Sequence, residues 1–440
     1  MNGGRVPLFN VIVFGKCNLA CDYCFAEDYM GIKESINDPK TMSHESYNDI
    51  VNFLSLSKTD HISLLGGEPT LHPNFNDFLK TAQKKDILIS VKTNALFNRP
   101  LEVLFDGVNQ ERIFLHINLN NPSSMSKEKW EKTLQNIKKL KQSSMMVDFQ
   151  INIADINFKY DYLWPVLEDF PKSNLYWTLT VPIAATGSSN KAIDPFTVKS
   201  KLMPRVLELL DQAKKQGHKT LGVHGITPCL FPKGFLEDNK DHHTLASECV
   251  PVFDFYPDDS VHYCFPLEGV ESFPSYKSFK NLQEIQYKFL WQAARARPFL
   301  FPWDKCDGCV HALSGDCHGG CMANKPWLKE AMWSGQEQFW QLIPKLTKDL
   351  NLVIKAFPKT AWDKNLKSKF FSSAPELWSK VASSIDGKRS WQEILNLLAQ
   401  KSELPNDDLK LWLEFSSYNL LGSQNAVLLP TRHRHQRNLD

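Results

Sequence analysis

Residues 11–25 read VIVFGKCNLACDYCF, an apolar run followed at once by three cysteines in CxxxCxxC spacing. The β-branched and aromatic residues of the run predict a strand, so Cys17, Cys21 and Cys24 lie in the loop after it. Three thiolates on one loop can hold three irons of a cubic cluster and leave the fourth iron open. The spacing therefore predicts a 4Fe-4S cluster whose free iron binds a ligand.

A second motif has the same position relative to a strand. Residues 62–70 read ISLLGGEPT, in which a predicted strand ends at two glycines, a glutamate and a proline. The glycines let the backbone come close to a ligand, and a carboxylate lies beside them. The motif consists of Gly66, Gly67, Glu68 and Pro69.

Together the two motifs resemble those of the radical S-adenosylmethionine (SAM) enzymes. The resemblance implies that the open iron chelates the amino and carboxyl groups of SAM and that the GGEP motif holds the amino group. It also assigns the aromatic Tyr23 to the cofactor site. A zinc knuckle or buried thiols are the alternative for the first three cysteines, but CxxxCxxC alone does not supply the four ligands of a zinc site.

The first half of the chain alternates predicted strands with amphipathic helices. Such βα units imply a parallel, right-handed wound sheet whose ligand site lies at the carboxyl ends of its strands, where both motifs are found. We therefore expect the α/β fold of the resembled family, a partial (β/α)6 TIM-like barrel. The predicted strands are residues 11–14, 62–65, 88–92, 113–117, 149–153 and 177–181.

Two more strand ends carry asparagines where the resembled family often has SAM contacts. Asn94 follows the third predicted strand and Asn118 follows the fourth. Each is either a SAM contact or an ordinary asparagine at a strand-to-loop turn.

Seven further cysteines lie between residues 229 and 321. Their pattern, Cys-x9-Asp-x4-Cys followed by CxxC-x7-CxxxC, resembles the SPASM extension, which carries auxiliary iron–sulfur clusters. It departs from that pattern in two places, because Asp259 stands where the pattern has glycine and no cysteine follows Cys321. The seven are Cys229, Cys249, Cys264, Cys306, Cys309, Cys317 and Cys321.

Two auxiliary 4Fe-4S clusters with only cysteine ligands need eight thiols, one more than remain. The resemblance assigns Cys229, Cys249, Cys264 and Cys321 to the first auxiliary cluster. It assigns Cys306, Cys309 and Cys317 to the second, with a fourth ligand that is absent or comes from Asp304, Asp307, His311, Asp316 or His318. In the competing assignment, one complete cluster is held by Cys306, Cys309, Cys317 and Cys321, and the other three thiols hold an open cluster. A zinc ribbon on the same four cysteines is a further alternative.

The carboxyl-terminal region has no cysteine and mainly helical periodicity. We predict a barrel over residues 1–222, a SPASM-like domain over 223–326, a helical linker over 327–371 and a small domain over 372–440. The last domain is similar in outline to winged-helix domains related to the peptide chaperone of pyrroloquinoline quinone biosynthesis. Such domains bind leader peptides by strand addition. A purely structural cap is the alternative.

Charge and apolar patterning indicate where the protein is located and which partners it lacks. The 440 residues include 51 Lys and Arg against 49 Asp and Glu, so the net charge of +2 gives no electrostatic case for nucleic acid. No apolar run is long enough for a membrane span, and the first residues do not resemble a signal peptide. We therefore expect a cytoplasmic protein whose cysteines serve as cluster ligands.

The resemblance implies an oxidoreductase. A flavodoxin or ferredoxin supplies an electron, SAM is cleaved to methionine and a 5′-deoxyadenosyl radical, and that radical takes a hydrogen atom from the substrate. We expect a precursor peptide as substrate and a carbon–carbon, carbon–oxygen or thioether cross-link as product. Sulfatase-maturing relatives carry an acid as general base directly after the cysteine that aligns with Cys264, whereas Phe265 stands there in this chain. Radical epimerases need a spare cysteine as hydrogen donor, and all ten cysteines here are assignable to clusters.

Two other functions stay open at this stage. One is a dehydrogenase or maturase that acts on a small molecule or an intact protein. The other is an iron–sulfur electron carrier, which has no use for the GGEP motif or for an open iron.

Overall fold

A computed structural model describes the chain over residues 9–26, 40–183, 190–247, 249–268, 272–296, 301, 306, 309–314, 317–324, 344–346, 374–400, 409–410, 413 and 426–428. The chain divides into two compact units, Met1–Leu282 and Gln283–Asp440. The first unit contains both sequence motifs.

A largely parallel sheet forms the core of the first unit. Among the described residues it has eleven strands in the order β11-β10-β9-β1-β2-β3-β4-β5-β6-β7-β8. The strands are β1 (Asn10–Phe14), β2 (His61–Gly66), β3 (Leu88–Thr93), β4 (Ile113–Asn118), β5 (Met146–Ile153), β6 (Leu175–Leu179), β7 (Thr220–Val223), β8 (His243–Leu245), β9 (Asp254–Phe255), β10 (Val261–His262) and β11 (Ser272–Phe273).

Helices connect the parallel strands, as expected for βα units. Helix α1 begins after Ser43, whose hydroxyl accepts from the N–H of Ser46, and its apolar stripe is buried. The helices of the first unit are α1 (His44–Leu56), α2 (Phe75–Gln83), α3 (Leu101–Leu104), α4 (Lys127–Leu140), α5 (Trp164–Leu167), α6 (Lys199–Lys215) and α7 (Phe235–Asp238). Helix α8 (Leu282–Ala296) begins at the last residue of the first unit and otherwise belongs to the second.

All six predicted strands are present, and the α/β fold is confirmed. The sheet is wider than predicted, however. Strands β7 and β8 extend it in parallel beyond β6. On the other side, β9 pairs in parallel with β1, and β10 and β11 continue antiparallel. The segment between Cys249 and Cys264 thus belongs to the same sheet as the first motif.

After α8, the described helices and strands of the second unit are α9 (Val310–Ser314), β12 (Pro344–Leu346), α10 (Ala374–Ser384), α11 (Trp391–Ala399) and β13 (Ala426–Leu428). Helix α11 begins with a capping box in which Ser390 and Glu393 bond each other's backbone. Strand β13 pairs antiparallel with β12, which lies in a segment predicted to be helical. The partner of β13 therefore comes from upstream of residue 372, outside the predicted small domain.

Within the described parts of the chain, no helix has the length and apolar character needed to cross a membrane.

Candidate cluster and cofactor site

The loops after β1 and β2 run side by side at the carboxyl edge of the sheet. The N–H of Gly67 donates to the carbonyl of Phe14 at 2.7 Å, and the N–H of Glu68 donates to the carbonyl of Lys16 at 2.8 Å. A Cβ on Gly67 would overlap the Lys16 carbonyl oxygen. The glycine therefore permits close approach of the two loops to each other, a contact that the sequence analysis did not predict.

The Glu68 carboxylate is buried and bonded within the protein. Its Oε1 accepts from the Thr70 N–H at 3.2 Å, the Thr70 hydroxyl at 2.6 Å and the Thr93 hydroxyl at 2.8 Å. Its Oε2 accepts from the Asn94 N–H at 2.8 Å. Burial raises the pKa of the Glu68 carboxyl, and these hydrogen bonds oppose that shift. The carboxylate thus ties the GGEP loop to the end of β3.

Asn94 lies between the GGEP loop and the first cysteine. Its side-chain Nδ2 donates to Asn18 Oδ1 at 2.8 Å and points at Cys17 Sγ at 3.7 Å. The N–H of Leu19 donates to the same sulfur at 3.4 Å. The predicted site residues Cys17, Glu68 and Asn94 are therefore brought into one network.

The later part of the cysteine loop is held from two directions. Tyr23 donates its hydroxyl hydrogen to Asn120 Oδ1, just after β4. Asp22 bonds Lys191 twice, through a 2.5 Å ion pair and a 2.7 Å hydrogen bond from the Lys191 N–H to its carbonyl. Asn190 also donates to the carbonyl of Tyr23 at 3.3 Å. The loop is thus fixed on its β4 side and by the segment after β6.

The first loop fits an iron–sulfur cluster. Burial raises the pKa of the Cys17 thiol to about 11, so a thiolate there needs a cation such as iron to stabilise it. Burial also raises the pKa of Cys21. The amide of Cys24 donates to the carbonyl of Cys21 at 3.1 Å, which closes a tight turn. Within the described ranges, no three His, Cys, Asp or Glu side chains are gathered around a point that suits one metal ion.

Asn118 supplies a second observation that fits a bound cofactor. It ends β4, and its Oδ1 is buried without a hydrogen-bond partner among the described residues. A buried acceptor left unpaired is costly, and a donor on a ligand removes the cost. Asn118 lies two residues beyond His116, which places both side chains on the same face of β4.

The sequence analysis missed a group of ionisable residues that interact with one another across the sheet, and the space between them is called the lumen below. Burial lowers the pKa of Lys92 on β3 and lowers the pKa of His116 on β4 to about 3. Asp254 on β9 accepts from Asn10 Nδ2 at 2.6 Å, and burial raises its pKa to about 7. Lys92 and Asp254 interact electrostatically, so this interaction links strands on the two sides of β1 and β2.

His224 follows β7 and has a left-handed backbone with φ of 65°. Its ring lies 6.4 Å from that of Phe25, the residue after Cys24. The imidazole has accessible surface, yet desolvation, followed by the nearby Lys92, lowers its pKa to about 4. Strand β7 was not among the predicted strands, so His224 had no signal as a strand-end residue.

Two of the seven downstream cysteines, Cys249 and Cys264, flank the hairpin of β9 and β10, which lies next to the CxxxCxxC loop. Cys249 and Cys264 interact electrostatically, and burial raises the pKa of Cys264 well above its usual value. Phe265, which follows Cys264, packs against Phe25 with ring centroids 5.7 Å apart. Residues adjacent to Cys24 and Cys264 are therefore in contact.

Asp259 stands where the SPASM pattern has glycine, and it has a φ of 69° in the turn of this hairpin. Aspartate tolerates the left-handed region better than most residues, and its carboxylate bonds Lys277 at 2.8 Å. The backbone conformation that favours glycine is thus retained by an aspartate.

The remaining cysteines occupy two places. Cys229 is exposed in the first unit, and its sulfur lies 3.3 Å from the Thr227 hydroxyl. In the second unit the Cys309 N–H donates to the Cys306 carbonyl at 3.2 Å, the same turn as in Cys21 to Cys24. Cys317 and Cys321 are also described, with Cys321 buried. Of the candidate fourth ligands, His311 and His318 are described, whereas Asp304, Asp307 and Asp316 lie outside the described residues.

Comparisons with known proteins agree with this geometry. Residues 11–157 match the model of the Radical SAM superfamily. A stretch of 104 residues is 30% identical to the GTP 3′,8-cyclase of Synechocystis sp., covering 23% of this chain and 31% of that protein. The chain thus spans about a third of the length of that curated relative.

Two solved structures share the fold. A histidine-tagged anSMEcpe with bound AdoMet has a TM-score of 0.52 at 16% identity, over 93% of this chain and 99% of that chain. Native anSMEcpe with bound AdoMet and Cp18Cys peptide has a TM-score of 0.50 at 18% identity, over 72% and 90%. The cysteine loop and the GGEP loop both lie within the stretch that matches the superfamily model, and residues 11–157 of this chain therefore form a radical SAM domain.

Proposed function

We propose that this protein is a radical SAM peptide maturase, which oxidatively cross-links side chains of a ribosomally made precursor peptide. One observation carries the proposal: the hydrogen bond from the Glu68 N–H to the Lys16 carbonyl, 2.8 Å long, which fastens the GGEP loop beside the CxxxCxxC loop. The two motifs that a SAM-binding cluster requires are thereby adjacent.

Cys17, Cys21 and Cys24 would hold the SAM-binding cluster. When bound, the cluster and SAM supply a 5′-deoxyadenosyl radical by reductive cleavage of SAM. The loop beside the cofactor would be formed by Gly66, Gly67 and Pro69. Glu68 keeps this loop in position. Tyr23 holds the cysteine loop against Asn120, and the unpaired Oδ1 of Asn118 accepts a hydrogen bond from SAM.

The cysteines downstream of the barrel would hold auxiliary clusters of the SPASM type. The hairpin carrying Cys249 and Cys264 pairs with β1, and its Asp259 has the backbone conformation expected of the glycine in the SPASM pattern. In an oxidative cross-linking reaction the substrate loses first a hydrogen atom and then a proton and an electron. The auxiliary clusters would accept that electron. A flavodoxin or ferredoxin would supply the electron for SAM cleavage.

A peptide substrate has support from two sides. The solved structure of anSMEcpe with the Cp18Cys peptide has the same fold. In the second unit, β12 and β13 form a two-stranded sheet, and α10 and α11 precede β13 in the chain. A short sheet accompanied by helices suits capture of a leader peptide by strand addition.

A small-molecule substrate is the second candidate. The GTP 3′,8-cyclase of Synechocystis sp. matches over 104 residues, and the lumen residues Lys92, His116 and His224 are polar. A polar lumen suits a polar small molecule as well as a peptide.

The radical SAM chemistry is tested by anaerobic reconstitution followed by turnover with dithionite and SAM. The parent should form 5′-deoxyadenosine and contain about ten to twelve irons per chain if three clusters assemble. Replacing Cys17, Cys21 and Cys24 together by Ala should abolish deoxyadenosine while the auxiliary clusters remain. Parental SAM cleavage by the triple variant would refute the assignment, and about four irons with stoichiometric zinc would favour the ribbon.

The peptide substrate is tested by removing residues 372–440. The truncated protein should still cleave SAM but lose modification of a co-expressed precursor peptide, measured as a mass change. Full modification by a folded, cluster-loaded truncated protein would refute leader binding. Aggregation of the truncated protein would show a structural cap.

A further inference from the structure

The amide of Asn94 is oriented by its neighbours. The Asn18 Nδ2 donates to the Leu96 carbonyl at 2.6 Å, so the Asn18 Oδ1 faces Asn94 as an acceptor. The N–H of Leu96 donates to the Asn94 Oδ1 at 2.8 Å. Because the Asn94 oxygen is used in this way, its amide nitrogen must face both Asn18 and the Cys17 sulfur.

The position of Asn94 is also fixed along the backbone. Its own N–H donates to Glu68 Oε2 at 2.8 Å, and Glu68 is bonded to Thr70 and Thr93. Asn94 is 8% exposed. The bonds to Glu68, Asn18 and Leu96 therefore hold one amide N–H toward Cys17 Sγ, at 3.7 Å.

Hydrogen bonds to a cluster sulfur change the reduction potential of the cluster. An N–H donor stabilises the more negative, reduced state, so it makes the cluster easier to reduce. Cys17 Sγ faces a second donor, the Leu19 N–H at 3.4 Å, but that donor belongs to the cysteine loop itself. The Asn94 donor comes from the loop after another strand.

We propose that Asn94 is a positioning residue that acts on the SAM-binding cluster through the sulfur of Cys17. Its amide N–H raises the reduction potential of that cluster and fixes the position of the Cys17 side chain. This role replaces a direct contact between the Asn94 side chain and SAM. It rests on the proposed function, because it requires Cys17 to be a cluster ligand.

The test compares three variants of the full-length, reconstituted protein by redox titration monitored by electron paramagnetic resonance. Asn94→Ala removes the amide. Asn94→Asp keeps the acceptor for Leu96 and nearly the same size but has no N–H for the sulfur. Asn136→Ala is the matched control, because it removes the 2.9 Å bond from the Asn136 side chain to the carbonyl of Ala95, next to Asn94, and leaves the Asn94 amide and the bonds that orient it in place. The cluster is identified by the change of its signal when SAM is added.

Both Asn94 variants should have a lower midpoint potential than the parent, with Asn94→Asp lowest because it adds a negative charge. The expected shift corresponds to a roughly two- to tenfold loss in the one-electron reduction equilibrium, of which a tenfold change equals about 59 mV. Asn136→Ala should keep the parental potential.

Three outcomes would overturn the inference. They are parental potentials in both Asn94 variants, an equal shift in Asn136→Ala, and loss of the folded domain in both Asn94 variants but not in Asn136→Ala. The last would assign Asn94 to the fold alone. If the parent itself shows no SAM-responsive cluster, the proposed function fails as well, so the two failures are distinguishable.

Discussion

The N–H of Asn94 donates to Glu68 Oε2 at 2.8 Å, and this bond joins the loop after β2 to the loop after β3. Asn94 in turn faces the sulfur of Cys17, in the loop after β1. Three consecutive strand ends are therefore connected through one buried carboxylate and one amide. The GGEP glutamate serves as the internal support of the site, and the following predictions test that support and its surroundings.

Glu68→Ala should destabilise the metal-free protein by about 3 kcal/mol. The substitution leaves buried donors of Thr70, Thr93 and Asn94 without an acceptor, and each unpaired group costs about 1–3 kcal/mol. Urea unfolding measures the loss, and SAM binding should weaken as the loop moves. Glu102→Ala, at an exposed glutamate of α3, is the control. Parental stability combined with weak SAM binding would mean that the carboxylate serves the ligand alone.

Gly67→Ala should separate the two motif loops. Its Cβ would overlap the main-chain oxygen of Lys16, and neither backbone can yield without losing the adjoining hydrogen bonds. We expect the loss of about four irons per chain after reconstitution. Gly217→Ala is the comparison, since its Cβ meets nothing within 4 Å although φ is +82°. That variant should lose about 1 kcal/mol of stability and keep its iron. Equal iron contents in both variants would contradict this view.

Asn118→Ala should weaken SAM binding about tenfold without lowering the stability of the metal-free protein. The Oδ1 of Asn118 has no partner among the described residues, so its removal costs the ligand-free protein nothing. Binding of SAM to the reconstituted protein and urea unfolding of the metal-free protein measure the two effects. Asn120→Ala is the contrasting variant, because it removes the acceptor of the Tyr23 hydroxyl. Unchanged SAM affinity in Asn118→Ala would remove Asn118 from the cofactor site.

Asp259→Gly should be more stable than Asp259→Ala by about 1 kcal/mol. Both variants lose the 2.8 Å ion pair with Lys277, so their difference isolates the backbone at a φ of 69°. Thermal unfolding of the two variants measures it. Equal stabilities would show that the left-handed conformation of this turn is not strained for alanine.

His116→Gln should reduce the loss of stability that the parent shows on acidification. Burial, followed by the nearby Lys92, lowers the pKa of His116 to about 3, so the folded protein holds the imidazole neutral. The unfolded chain takes up a proton below about pH 6.5, and the stability present above that pH is lost progressively as the pH falls toward about 3. Urea unfolding at about pH 7 and about pH 5 should show a smaller difference in the variant. His116 also faces His224, Gln150 and Tyr176. A pH dependence identical to that of the parent would exclude His116 as its source.

The amino-acid sequence by itself determined the order of strands and helices in the first part of the chain and the place of the two motifs in that order. All six predicted strands appear because β-branched runs between amphipathic helices have one stable arrangement, a parallel sheet with the helices packed against it. The cysteine spacing and the GGEP motif are local features. Their placement at strand ends could be predicted because glycine and polar residues mark the end of a strand in the sequence.

Only the tertiary structure decided what each polar side chain contacts. The contact of Glu68 with SAM stays a prediction, but the structure shows that Thr93 and Asn94, from the end of the next strand, donate to its carboxylate, because neighbouring parallel strands end at the same edge. The pairing of β9 with β1 brings Phe265 against Phe25. His224 depends on β7, which is only four residues long and draws its stability from β6 and β8. Such contacts depend on strand order and register, which no local pattern encodes.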